Sequence, residues 1–190
     1  MNKTMNPELV TLKSVVKEDV LRVQHWLENE TVADSWFGRY SYGDFAHLGY
    51  HPEEMAHAHK EEWNKVFSDP SHKIFSIYNE DMHVGESHLA IEESLGDAQL
   101  SILIGNPDNW HKGFGTAAAK ATIKIAFEEY RIFRIWADIP EYNESAVKMF
   151  SHLHFTHEGT LRKSRPHHGA RHNSVIMGIL VDEYHSTQKK

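Results

Sequence analysis

Trp110-His111-Lys112-Gly113-Phe114-Gly115-Thr116-Ala117 is the stretch on which the reading of this chain turns. It lies between an apolar strand pattern at Ala98–Ile104 and a helix pattern at Thr116–Tyr130, in which Ala119, Ile123, Phe127 and Tyr130 share one face. Glycine lets successive backbone N–H groups turn toward one point, the helix that follows adds the positive end of its dipole, and His111 and Lys112 add positive potential. The small residues at 117 to 119 leave room for a close approach. Such a loop suits phosphate, although a Gly-x-Gly pair alone marks a plain turn more often than a ligand. A P-loop would require Gly-Lys-Ser/Thr, and Gly115-Thr116-Ala117 lacks it. The dinucleotide fingerprint fits better, since Gly113-x-Gly115-x-x-Ala118 matches its relaxed form and Asp138 follows at a suitable distance. Against it, Gly105–Lys112 separates the strand from the first glycine, and three antiparallel strands precede a motif that should open a βαβ series.

Working outward, Leu9–Leu12 reads as extended, and Val20, Val23, Trp26 and Leu27 recur at helical spacing. Ala33–Tyr50 carries many rings without a clean period; it either plugs the core or lines an acceptor pocket. His51-Pro52-Glu53-Glu54 predicts a helix start, with the helix running to about Phe67. Lys73–Tyr78, Val84–Glu92 and Ala98–Ile104 predict an antiparallel meander. Beyond the loop and its helix, Phe133, Ile135, Ala137 and Ile139 alternate as one buried strand face. Asn143 is placed to cap a helix bearing Ala146, Val147, Met149, Phe150 and Leu153. Thr156–Leu161, a basic turn around Gly169, and Ser174–Val181 close the pattern. The fold expected is α+β, with a mixed and mostly antiparallel sheet and helices on both faces.

At 190 residues a single domain is expected. Hydrophobic residues at 40% and charged residues at 25% fit a globular chain and exclude a disordered or fibrous one. No run approaches the roughly 20 apolar residues of a membrane helix, and Met1–Leu12 lacks the pattern of a signal peptide, so the cytoplasm is the expected location. The chain has no cysteine, which excludes disulfides, thiolate metal sites and a thiol nucleophile. A net charge of −7 argues against DNA or RNA as partner and leans toward a cationic one. Sixteen histidines invite a metal reading. None forms an HExxH helix, however, and the pairs around His57, His152 and His167 have no nearby carboxylate at ligand spacing, so no metal is expected.

Several ordered motifs together are more specific than the loop. Leu100–Gly105, Lys112–Ala117, Asn143-Glu144-Ser145-Ala146 with Leu153-His154-Phe155, and Glu158–Arg162 running to Val175–Glu183 resemble the GNAT acetyltransferases. The resemblance is strongest to the branch holding the ribosomal-protein N-terminal and spermidine acetyltransferases, and it covers nearly the whole chain. It implies a sheet with a V-shaped split between two central strands, a cleft where the strands at Ser101 and Trp136 part, acetyl-CoA as cosubstrate, and a primary amine as acceptor. The amine would be a protein N-terminus, a polyamine or another small amine, attacking directly in a ternary complex. Main-chain groups of Ile102, Leu103 and Ile104 would pair with the pantetheine arm. The amides of His111, Lys112, Gly113, Phe114, Gly115 and Thr116 would take the pyrophosphate, and Asn143 would bond the pantetheine or the cofactor's far end. A homodimer is common among such proteins.

Two positions depart from the family. Trp110 stands where Arg or Gln is usual, which removes a side-chain hold on phosphate. Phe150 stands where many members have a Tyr proposed to protonate the leaving thiolate. A phenyl ring cannot donate a proton, so the thiolate of pKa ~8.5 leaves unprotonated or takes a proton from water, at a cost of at most ~10²–10⁴-fold. The oxyanion is expected at a backbone N–H near Leu103. The attacking amine must be neutral, and Glu86 is favoured as its base over His88, Ser101 and Gln99. The basic cluster Arg162-Lys163-Ser164-Arg165 with Arg171 is read as solvated hairpin, or else as a contact for an acidic acceptor or the cofactor's 3′-phosphate. With Phe150 and Trp110 in place, the alternative is a catalytically weak or inactive CoA-binding module or sensor; a nicotinamide-dependent oxidoreductase ranks last.

Overall fold

The computed structural model describes residues 5–36 and 49–188. Of the aromatic segment Ala33–Tyr50, residues 37–48 lie outside the described residues. In chain order the elements are β1 (Val10–Ser14), α1 (Lys17–Leu27), α2 (Glu30–Trp36), α3 (Pro52–His57), α4 (Lys60–Phe67), β2 (His72–Asn79), β3 (Met82–Glu92) and β4 (Asp97–Ile104). There follow α5 (Phe114–Glu128), β5 (Arg134–Pro140), α6 (Glu144–His152), β6 (Thr156–His167), β7 (Ala170–Leu180) and α7 (Val181–Thr187). The seven strands form one sheet in the order β1-β2-β3-β4-β5-β7-β6. Every neighbouring pair is antiparallel except β4 and β5, which α5 connects as a crossover.

Alternation along β4 divides the core. Ala98 and Leu100 join a cluster with Ile123 and Phe127 of α5, Phe150 of α6 and Tyr184 of α7. Leu103 points the other way, into a cluster with Val20, Val23 and Leu27 of α1, Val32 of α2 and Met55 of α3. This is the layering that one strand with two buried faces requires. The α1 layer also holds a polar network. Asp19, fully buried, accepts from the hydroxyls of Ser76 and Tyr78, both at 2.6 Å, and from Arg22 at 2.5 Å. Burial alone would raise its carboxyl; the two hydroxyls, the neighbouring His83 and Arg22 outweigh that and hold it below the usual range.

Three expectations are corrected. The helix from Pro52 to Phe67 is two helices, because Ala58 adopts an extended ψ of 141° and its carbonyl accepts Lys17 Nζ at 2.7 Å. The Glu62 carboxylate then caps the His59 N–H at 3.0 Å and starts α4 afresh. The strand expected to end at Leu161 runs on to His167 through the basic residues, with a register shift between Leu161 and Arg165. What carries it is Arg165, which is only 4% exposed, donates to Ser174 Oγ at 2.7 Å and pairs with Asp138 on β5. Phe133, expected on the buried face of β5, precedes the strand and is 55% exposed. Ile135, Ala137 and Ile139 do form that face.

Candidate active site

The sheet is split where the family resemblance placed the cleft. Registered pairs between β4 and β5 stop at Gln99 and Trp136, so from Ser101 onward the two strands part. The hydrogen-bond ladder decides which main-chain groups face the opening. Gly105 N–H donates to Val84 C=O at 3.0 Å, and Gly96 C=O, at the other end of β4, accepts from Phe133 N–H at 2.7 Å. Direction alternates residue by residue along a strand, so Leu103 faces its partner Glu86 on β3, whereas Ile102 and Ile104 face the split. The oxyanion assignment to Leu103 is therefore corrected, since its N–H is turned into the β3 ladder. The Ile104 carbonyl already accepts from the Trp110 indole N–H at 2.8 Å, so Trp110 ties the loop to the end of β4.

A cavity of about 380 Å³ opens from the split to the loop, lined by Ile102, Ile104, Trp110, Gly113, Gly115 and Thr116 with Ala146 and Met149 of α6. His111, with φ 58°, and Gly113, with φ 91°, adopt left-handed conformations that bend the chain around this space. Gly113 caps α5, and the first bond of the helix to this turn is Ala117 N–H on Gly113 C=O at 2.9 Å. The N–H groups of Phe114, Gly115 and Thr116 are thus the open donors of a 15-residue helix that has no acidic residue in its first turn. A Cβ at Gly115 would point into the same space, 3.4 Å from Met149 Sδ and 3.8 Å from Ile104 Cγ1, so a long side chain there would fill it. Convergent amides, a dipole end and a cradle free of side chains fit a diphosphate.

The other expected residues divide. His111 and Lys112 are exposed at the rim, whereas the Phe114 ring is buried and offers only its main chain. Asn143 lines the cavity, but its Oδ1 accepts from Ala146 N–H at 3.2 Å and its Nδ2 donates to Ser35 C=O at 2.8 Å. It caps α6 and clips α2 to it, which leaves one amide N–H for a ligand. Phe150 borders a narrow extension of about 50 Å³ between β4 and β5 and packs edge-on against Phe155. Ser35, Asn109, Ala146 and Met149 were not read from the sequence as lining residues. The i, i+3 spacing of Asn143, Ala146 and Met149 was the available signal for two of them.

Glu86 is not a surface residue of a half-exposed strand. It is fully buried, accepts from Tyr50 Oη at 2.7 Å and lies 2.9 Å from His88 Nε2. Burial and the Glu86 carboxylate push the Tyr50 phenol well above its usual range, so it remains a donor. Glu86 is absent from the cavity walls described above, and its carboxylate meets Tyr50 and His88 instead. Arg165 is likewise withdrawn as a phosphate contact, being spent on Asp138 and Ser174. The same pair removes Asp138 as a ribose ligand, and with a single parallel pair in the sheet the dinucleotide reading fails.

A family model of the acetyltransferase (GNAT) domain matches residues 10–156. The chain belongs to the GNAT acetyltransferase family. As a GNAT protein it is an acetyl-CoA-dependent N-acetyltransferase acting on an amine. Among its relatives, the spermidine N(1)-acetyltransferase of Escherichia coli K12 is 26% identical over 182 residues, covering 95% of this chain and 90% of that one. Among solved structures, spermidine N-acetyltransferase from Vibrio cholerae in complex with CoA and spermine superposes with a TM-score of 0.76 at 21% identity, covering 93% of this chain and 98% of that one. A dodecameric structure of the Vibrio cholerae enzyme gives a TM-score of 0.72 at 21% identity over 93% and 96% of the two chains. The spermidine side of the expected branch is supported; nothing speaks specifically for the ribosomal-protein side. No helix among the described residues is long and apolar enough to cross a membrane.

Proposed function

We propose that this GNAT protein acetylates a primary amino group of a small polycation, with a polyamine as the acceptor class. The observation that carries the chemistry is the continuity of the split sheet with the amide cradle. A pantetheine arm laid along Ile102 and Ile104 would continue the sheet as a strand does, while the N–H groups of Gly113 to Thr116 hold the diphosphate. The thioester carbonyl would then meet the outward N–H of Ile102, a fixed donor that needs no reorganisation as charge develops. The acceptor class is supported by the relatives' substrates and by the chain's net charge of −7.

The amine must reach the thioester neutral. Its proton passes toward the face of the sheet where Tyr50, Glu86 and His88 form one buried network, with Glu86 as the positioning residue. At the sulfur, Phe150 supplies no proton, so the thiolate departs as such; near neutral pH a thiol of pKa about 8.5 makes this tolerable.

Thiol release is measured with acetyl-CoA and, in turn, spermidine, spermine, aminoglycosides, amino sugars and peptides with free N-termini. Release with the polyamines at the highest kcat/KM is expected. Release with peptides alone would move the acceptor to a protein N-terminus. Tight CoA binding without release on any acceptor would favour the inactive binding module, for which Phe150 is the specific argument.

A further inference from the structure

We propose that Asp34, His167 and His168 form a binding site for a divalent transition metal of the zinc class, which ties α2 to the turn between β6 and β7. The sequence showed the His167–His168 pair but no carboxylate near it, because Asp34 comes from far earlier in the chain. The fold brings the three together. One ligand atom from each lies within 4.8 Å of the other two. Asp34 Oδ2 and His168 Nε2 are 3.3 Å apart, close to the roughly 3.3–3.5 Å edge of a tetrahedron with metal–ligand bonds of ~2.0–2.2 Å.

The surroundings suit a cation. The three residues line a cavity of about 220 Å³ with Glu30 and Pro166, so among the described residues its walls carry two carboxylates and two imidazoles and no lysine or arginine. His167 is held from behind, its ring stacked on Tyr142 with centroids 4.0 Å apart and planes at 15°. An exposed His–Asp pair by itself would contribute about 0–1 kcal/mol and would not require a second imidazole at the same point. Two imidazoles and one carboxylate match the ligand preferences of Zn²⁺, and three protein ligands leave a fourth position for water. The site abuts the cofactor cleft, for Asp34 precedes Ser35, whose carbonyl is held by Asn143.

The test uses full-length protein without a polyhistidine tag. Zn²⁺ is titrated calorimetrically, and Co²⁺ is titrated with its visible absorption as a reporter of tetrahedral imidazole ligation. The expected result is one saturable equivalent per chain. It should weaken about tenfold or more in His168→Ala and in Asp34→Asn, since even outer-shell partners of metal ligands are worth ~10–100-fold. A His152→Ala/His154→Ala control should bind as the parent does. His168 is 75% exposed in its side chain, so its removal leaves the fold intact, and circular dichroism with melting curves checks this. Zn²⁺ should also raise the melting temperature of the parent and not of His168→Ala. Absence of a saturable equivalent, or equal affinity in the parent and both site variants, would overturn the proposal.

Discussion

Replacing Gly115 by glutamate tests the diphosphate cradle most directly. The glycine lies in the first turn of α5, and a Cβ there would sit 3.4 Å from Met149 Sδ and 3.8 Å from Ile104 Cγ1, both on the cavity wall. Those are ordinary contacts, so Gly115→Ala should fold normally and bind acetyl-CoA almost as well as the parent. The longer side chain must extend through the cavity and bring its carboxylate near the diphosphate. At about 6 Å and an effective dielectric of about 20, one such charge pair is worth about 3 kcal/mol, or roughly a hundredfold in affinity. The steric part should persist at high salt and the electrostatic part should shrink. Calorimetric titration of acetyl-CoA into parent, alanine and glutamate variants at two ionic strengths measures both. If Gly115→Glu folds and binds acetyl-CoA as tightly as the parent, the diphosphate does not sit on these amides.

Other consequences are also measurable. Phe150→Tyr places a hydroxyl beside the narrow space between β4 and β5; kcat with the best acceptor should rise about tenfold or more, and an unchanged kcat with unchanged acetyl-CoA affinity would show that no proton is needed there. Glu86→Ala leaves the Tyr50 hydroxyl and the His88 imidazole without their buried acceptor; a loss of about 2–3 kcal/mol, or roughly 4–12 °C in melting temperature, is expected, and a melting temperature within 1–2 °C of the parent would contradict the network (roughly the noise of one surface change). Asp19, held low in the fold, adds stability that is fully present above the unfolded carboxyl pKa of about 3.9 and fades as pH falls through its lower folded value. Asp19→Asn should therefore narrow the gap in stability between neutral and acid pH, and parallel stability curves for parent and variant would refute this. The Tyr142 hydroxyl is buried without a hydrogen-bond partner among the described residues, and burial with the nearby Asp34 raises its pKa to about 12. Tyr142→Phe should not destabilise at neutral pH, and it should remove a stability loss that the parent shows as pH climbs from about 10 toward 12.

The parts of the fold legible in the sequence were those set by short-range pattern. Apolar runs broken by a polar turn marked the meander of β2 to β4, period-two alternation marked β5, and helical spacing marked α1 and α5. The split at Ser101 came from the family resemblance and not from any local pattern. What misled was contact between distant residues. Nothing near Ala58 announces that Lys17 will hold its carbonyl, and nothing near Arg165 announces Asp138 as its partner. The direction of the Leu103 main chain could not be read, since alternation of hydrogen-bond direction depends on the register with β3, and a one-residue shift exchanges inward and outward groups. Glu86 was assigned to the correct strand, but its burial depends on Tyr50, which arrives from a segment with no periodic pattern.

The sheet is held across its middle by three registered residue pairs, against eight on one side of β4 and seven between β5 and β7. Mechanically it is two plates joined by a short hinge, and a cosubstrate laid in the gap as proposed would act as a splice. Acetyl-CoA would then be part of the scaffold for as long as it is bound. At a hundred times its dissociation constant it adds about 2.7 kcal/mol to the stability of the loaded form, and amides flanking the gap should exchange their hydrogens more slowly in that form than in the free protein.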